Sequence, residues 1–315
     1  MKLSDGKMEQ LSGDMERPDS ITERRGRKIE RPDSIMEQRS RNMERPDRKM
    51  EQQSRNMERP DKKGMRYMLK AELKNHILNL RFWAGVLLIL AAALVSEQTH
   101  LQFLLDSGGS REGPGWFLAY SFCSGGENTL LFVPIAVTFT AGGEAEQELH
   151  SRFALFSCVR TGKKQYLAGK AAGLILSGGL MLSVSMLLML GISVLVFGDI
   201  PVLGGGGPAF STVLLQVLVS FPRGFLNGAL WAMVGGFAAI VTRSRYLAYA
   251  VPFVLYYVLS VFQERYFRRF LFLNPRYWMA PVYFNDLICI LILLALCALT
   301  GFLFIRALKR RLDDA

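Results

Sequence analysis

Residues 171 to 197 read AAGLILSGGLMLSVSMLLMLGISVLVF, 27 consecutive positions without a charge. A helix crosses a hydrocarbon core of roughly 30 Å with about 20 apolar residues, so this stretch spans a bilayer with length left over for a tilt. A helix satisfies its own backbone polar groups, which lipid cannot do for it. The stretch therefore decides the fold class: all-α and membrane-spanning. Gly179 and Ser183, four positions apart, predict a close helix contact on one face.

Working outward, further apolar runs complete a polytopic membrane protein with six transmembrane helices. Span 1 is placed at Phe82 to Ser96, span 2 at Asn128 to Gly143 with Pro134 inside it, and span 3 at Ala171 to Phe197. The run from Phe210 to Thr242 is about 50 Å long as a helix, too long for one crossing. Pro222-Arg223-Gly224 interrupts it, so residues 210 to 221 are expected as an outer interfacial or re-entrant piece, and span 4 as Phe225 to Val241. Span 5 is placed at Leu247 to Gln263, containing Pro252, and span 6 at Leu287 to Ile305.

Six spans put both termini on one side, and basic residues gather on the cytoplasmic side. The segments proposed as inner hold eleven basic residues after the tail, in 144 to 170, at Arg243 and Arg245, and from Arg306 to Arg311; the outer ones hold six. Both termini are thus expected to be cytoplasmic. The outer six include Arg265, Arg268, Arg269 and Arg276. They share residues 264 to 285 with Tyr266, Phe267, Phe270, Tyr277 and Trp278, a composition suited to an outer interfacial segment.

The formal charge of +11 comes from 38 Lys and Arg against 27 Asp and Glu in a chain that is 50% hydrophobic. In a soluble protein such a charge suggests nucleic acid; beside membrane spans it anchors the inner face, and no nucleic-acid partner is expected. Residues 1 to 81 carry 21 of the basic and 15 of the acidic groups. Within them Glu-Arg-Pro-Asp recurs every 14 residues, at Glu16, Glu30, Glu44 and Glu58. A proline in each repeat and the lack of an apolar seam exclude a coiled coil, and the polarity predicts a disordered tail over 1 to 64. The first 64 residues contain no apolar run of signal-peptide type, so no secretory signal is expected there. From Met65 to Arg81, Leu69, Leu73, Ile77 and Leu80 fall on one helical face, with Lys70, Lys74 and Arg81 largely off it. This pattern predicts an amphipathic helix in the cytoplasmic interface, leading into a transmembrane domain over 82 to 315.

Motifs for chemistry are missing. His76, His100 and His150 share no span, and the cysteines at 123, 158, 289 and 297 have no metal-ligand spacing. Glu144, Glu146, Glu148 and His150 lack the two-His spacing of a metalloprotease helix. Gly169-Lys170 is followed by Ala171 rather than Ser or Thr, so it is no P-loop. We expect no catalytic, metal or cofactor site. Ionisable groups are also nearly absent from the spans, whereas ion-coupled carriers use them at mid-membrane; an external source of energy fits better.

The place to receive it is the charged block EAEQELHSRFALFSCVRTGKKQYLAGK, residues 144 to 170. Acids open it and basic residues close it, complementing a helix dipole. Leu149, Phe153, Phe156 and Val159 recur at helical spacing, and Gly162 permits a turn. Glu146 and Glu148, this helix, then Lys163, Tyr166-Leu167-Ala168 and Gly169-Lys170 opening span 3, with Asn274-Pro275 before the last span, resemble the permease subunits of type-2 ABC transporters over residues 65 to 315. Where that family often has a proline before its basic residue, this chain reads Arg160-Thr161-Gly162.

The resemblance implies a permease without enzyme activity of its own. It implies a cytoplasmic ABC ATPase bound to the coupling loop 144 to 170 through Glu146, Glu148, Phe153, Phe156, Arg160, Lys163 and Lys164. It further implies a second permease subunit in a homo- or heterodimer, export more typically than import, and a multi-pass place in the cell membrane, typically a bacterial plasma membrane. The alternative reading is a non-transport scaffold or sensor that holds a cytoplasmic partner through the same block.

Overall fold

A computed structural model describes residues 74, 76–98, 102, 115–151, 153–198, 210–280 and 285–314. The expected disordered repeats over 1–64 and most of the expected interfacial helix over 65–81 lie outside them. The architecture is all-helical, 89% helix without a strand among the described residues. In chain order the helices are α1 (Leu80–Ser96), α2 (Trp116–Gly125), α3 (Glu127–Ala141), α4 (Glu144–His150), α5 (Phe153–Thr161), α6 (Lys163–Phe197), α7 (Phe210–Thr242) and α8 (Arg245–Arg265). A 3-10 turn (Leu271–Leu273), α9 (Arg276–Met279) and α10 (Asp286–Asp313) complete the fold.

Four of these, α6, α7, α8 and α10, are long and apolar enough to cross a membrane. A fifth crossing arises if α2 and the run Glu127–His150, which holds α3 and α4, act as one element bent by 54°. α1 is apolar but only 17 residues long. Its N-cap is Asn79, whose side-chain oxygen accepts the Arg81 N–H at 3.1 Å. The side chains left exposed include Leu87, Leu195, Leu255, Leu291 and Phe302, an outer surface suited to lipid rather than water.

The long helices alternate in direction. At the end that carries α4 and α5, here the near end, Arg245 meets Gln147 and Arg311 meets Glu146, which brings the start of α8 and the tip of α10 together there. At the far end Gly126 packs against Ser96, and Ala119 of α2 packs against Phe197 at the close of α6. Helix α7 is central: 72% of its most apolar window is buried, against 22% for α10. It crosses α6 at two glycines whose backbones touch. A Cβ on Gly228 would lie 2.3 Å from the Gly178 carbonyl oxygen, and one on Gly178 would lie 2.6 Å from that of Gly228, so only glycine permits the approach. The contact expected at Gly179 exists, against the Phe225 ring; Ser183, its expected companion, is only half-buried.

One sequence expectation is corrected and a second gains detail. The first is the break at Pro222: α7 runs uninterrupted from Phe210 to Thr242. Proline removes one N–H and crowds the carbonyl four residues back, but ending the helix would free several more backbone groups that would then need partners. Packing also holds both sides of Pro222, with Val213, Val217 and Ser220 buried before it and Gly224 and Asn227 buried after. The second concerns residues 264 to 285, expected as an outer interfacial segment. Tyr266, Phe267 and Phe270 are exposed, but Trp278 is buried. It stacks on Trp231 of α7 with centroids 6.0 Å apart, and its indole N–H donates to the Phe272 carbonyl at 2.8 Å. Asn274, also buried, donates to Gln263 at 3.1 Å. The segment folds back into the bundle because the indole and the amide both find polar partners there.

Candidate functional site

The charged block forms two helices rather than one. Ser151 ends α4: its hydroxyl donates to the Glu148 carbonyl at 3.2 Å, taking an acceptor that a continuing helix would use. α5 then ends at Gly162, whose φ of 86° and ψ of 140° suit glycine and strain any other residue. That turn aims the chain into α6.

The acids of α4 point into the protein. Glu148 accepts from the Lys170 ammonium at 2.6 Å and from the Tyr166 hydroxyl at 2.9 Å, both on the first turns of α6. The Lys170 side chain is 4% exposed, and a cation so buried requires its carboxylate. Glu146, also buried, lies 3.5 Å from the Arg311 guanidinium on α10. Glu144 lies 3.4 Å from His76, just before α1, and Gln147 accepts from Arg245 of α8 at 3.1 Å. Below α5, Lys163 pairs with Asp313 of α10. α4 is thus tied to α6, α8 and α10 and to the chain entering α1.

α5 does the opposite. Only Ala154 on it is buried, while Phe153, Phe156 and Val159 are 57%, 74% and 88% exposed. They stand three residues apart, on one face. Beside them opens a groove of about 630 Å³ lined by Asn79, Arg81, Glu144, Gln147, Glu148, Ser151, Phe153 and Phe156. Arg160 on α5 and Lys164 at the start of α6 are exposed, and Lys163 is half-exposed. Burial pushes the Cys158 thiol above its usual range, with Lys163 pulling weakly the other way.

Of the residues expected to contact a partner, the structure brings Phe153, Phe156, Arg160 and Lys164 to the surface. It commits Glu146, Glu148 and Lys163 to ion pairs within the chain. Sequence reasoning missed Tyr166, Lys170 and Arg311 as the anchors of α4. Lys170 stood in plain view as a charge at the head of an apolar run; nothing local marked Arg311. Among the described residues no group of three His, Cys, Asp or Glu side chains comes together as a metal site. No family model, no curated protein and no solved structure matches this chain.

Proposed function

We propose that this chain is the membrane-spanning permease subunit of an ATP-binding cassette transporter, driven by a separate ATPase subunit that docks on α5. The observation that carries the reading is the division of labour within the charged block. α5 offers Phe153, Phe156 and Val159 outward, while α4 is pinned by Glu148 to Lys170 of α6 and by Glu146 to Arg311 of α10. A push on α5 therefore reaches two membrane-length helices through the ion pairs of α4, a short one to Lys170 and a longer one to Arg311. In this reading α1 is the first span, α2 with α3 the second, and α6, α7, α8 and α10 the remaining four, with both termini and the block in the cytoplasm. Two such subunits, alike or different, form the path, and export is the expected direction.

The test is co-purification of the full chain from its native membranes, followed by assay and identification of any P-loop ATPase recovered. The intact chain is expected to bring one down, and replacing Phe153, Phe156 and Val159 by serine to lose it. An intact chain that recovers no ATPase overturns the transporter reading. Recovery that survives the serine variant overturns the docking role of α5 alone.

A further inference from the structure

A second groove, of about 410 Å³, opens at the near end between the last turns of α7 and α10. Its apolar lining is Phe237, Ile240, Val241, Leu303 and Ala307, with Ile240 buried and Val241 and Leu303 exposed. Its rim carries Arg243, Arg306, Arg310 and Arg311, opposed within the groove only by Asp314. Arg311 gives one nitrogen to Glu146, and its Nε is buried without a hydrogen-bond partner among the described residues. Arg243, Arg306 and Arg310 are exposed, and none of them has an ion pair among the described residues. Arg243 closes α7 with a φ of 55°, a conformation rare outside glycine, asparagine and aspartate. That turn sets its side chain at the rim.

We propose that this groove binds a phosphate group carried by an anionic lipid. Guanidinium groups match phosphate oxygens in planar, charge-assisted pairs, and several of them converge here. The division of the lining decides the source. Arg306 is the first charge after the 19 uncharged residues from Leu287 to Ile305, so the groove straddles the level where hydrocarbon gives way to headgroups. Its apolar half takes the glycerol and upper acyl carbons, and its rim takes the phosphate. Basic pockets between membrane helices bind anionic headgroups by this logic. A free phosphate would use the rim and leave the apolar half without purpose. The proposal does not depend on an ATPase partner.

The test uses the full chain purified in detergent, with phosphatidylglycerol or phosphatidylcholine added and bound lipid counted by native mass spectrometry. Phosphatidylglycerol is expected to be retained in preference to phosphatidylcholine. The R306Q/R310Q variant is expected to weaken its retention about tenfold or more, R243Q to weaken it less, and R268Q/R269Q, at the far end, to leave it unchanged. Size-exclusion profiles and melting temperatures without lipid establish that each variant is folded; should R306Q/R310Q aggregate, R243Q carries the comparison. Equal retention of the two lipids, or unchanged retention in both groove variants, overturns the site. Displacement of phosphatidylglycerol by inorganic phosphate overturns the assignment to a lipid.

Discussion

At the residue scale the bond that governs the candidate site joins Glu148 to Lys170. A nearly buried ammonium is costly unless paired, and removing one partner of such a pair costs about 3–5 kcal/mol, while replacing both with apolar groups of similar size is often neutral. Glu148→Ala is therefore expected to lower the melting temperature of the full chain in detergent sharply. The double variant E148L/K170M is expected to recover most of the loss. If the single and double variants melt together, the pair does not hold α4 to α6. The tie was only half legible. Both residues stood out in the sequence as charges beside apolar runs, but their partnership depends on Gly162 turning α5 back toward α6. No spacing rule states where a chain goes after a glycine with positive φ.

At the scale of elements the crossing of α6 and α7 is set by Gly178 and Gly228, whose backbones leave no room for a side chain. Gly228→Leu is expected to separate the two helices and to destabilise the bundle more than Gly191→Leu, since a Cβ on Gly191 meets nothing within 4 Å. Melting temperatures of the two variants check it; equal losses would show that the close crossing does not set the cost. The four helices long and apolar enough to cross a membrane were readable from apolar runs, because each run is a local property. The continuity of α7 through Pro222 was not, because a proline's local cost is weighed against burial that other helices supply. Trp278 followed the same logic. An aromatic beside arginines reads as an interfacial anchor until Trp231 and the Phe272 carbonyl give it a partner inside.

At the scale of the whole molecule the proposed topology places α5 in the cytoplasm, and Cys158 on that helix is a native reporter. A membrane-impermeant maleimide is expected to label Cys158 in inverted vesicles and not in intact cells, with a C158S chain as the blank. Because burial raises the thiol's pKa, and the thiolate is the reactive form, labelling is expected to rise steeply above pH 8. Labelling from outside intact cells would invert the topology and remove α5 from reach of any cytoplasmic ATPase.

The sequence by itself determined that this protein is helical and suited to a membrane, where its apolar runs lie, and that residues 144 to 170 stand apart from them. These follow from hydrophobicity and length, which each segment carries on its own. Only the tertiary structure decided which face of the charged block looks outward. Glu146 and Glu148, expected to meet a partner, turn inward because Lys170 and Arg311 are brought to them by helices from elsewhere in the chain. Phe153, Phe156 and Val159 stay exposed because among the described residues no helix covers that side. Ion pairing and burial are properties of what surrounds a residue, and that is fixed only once the helices have packed.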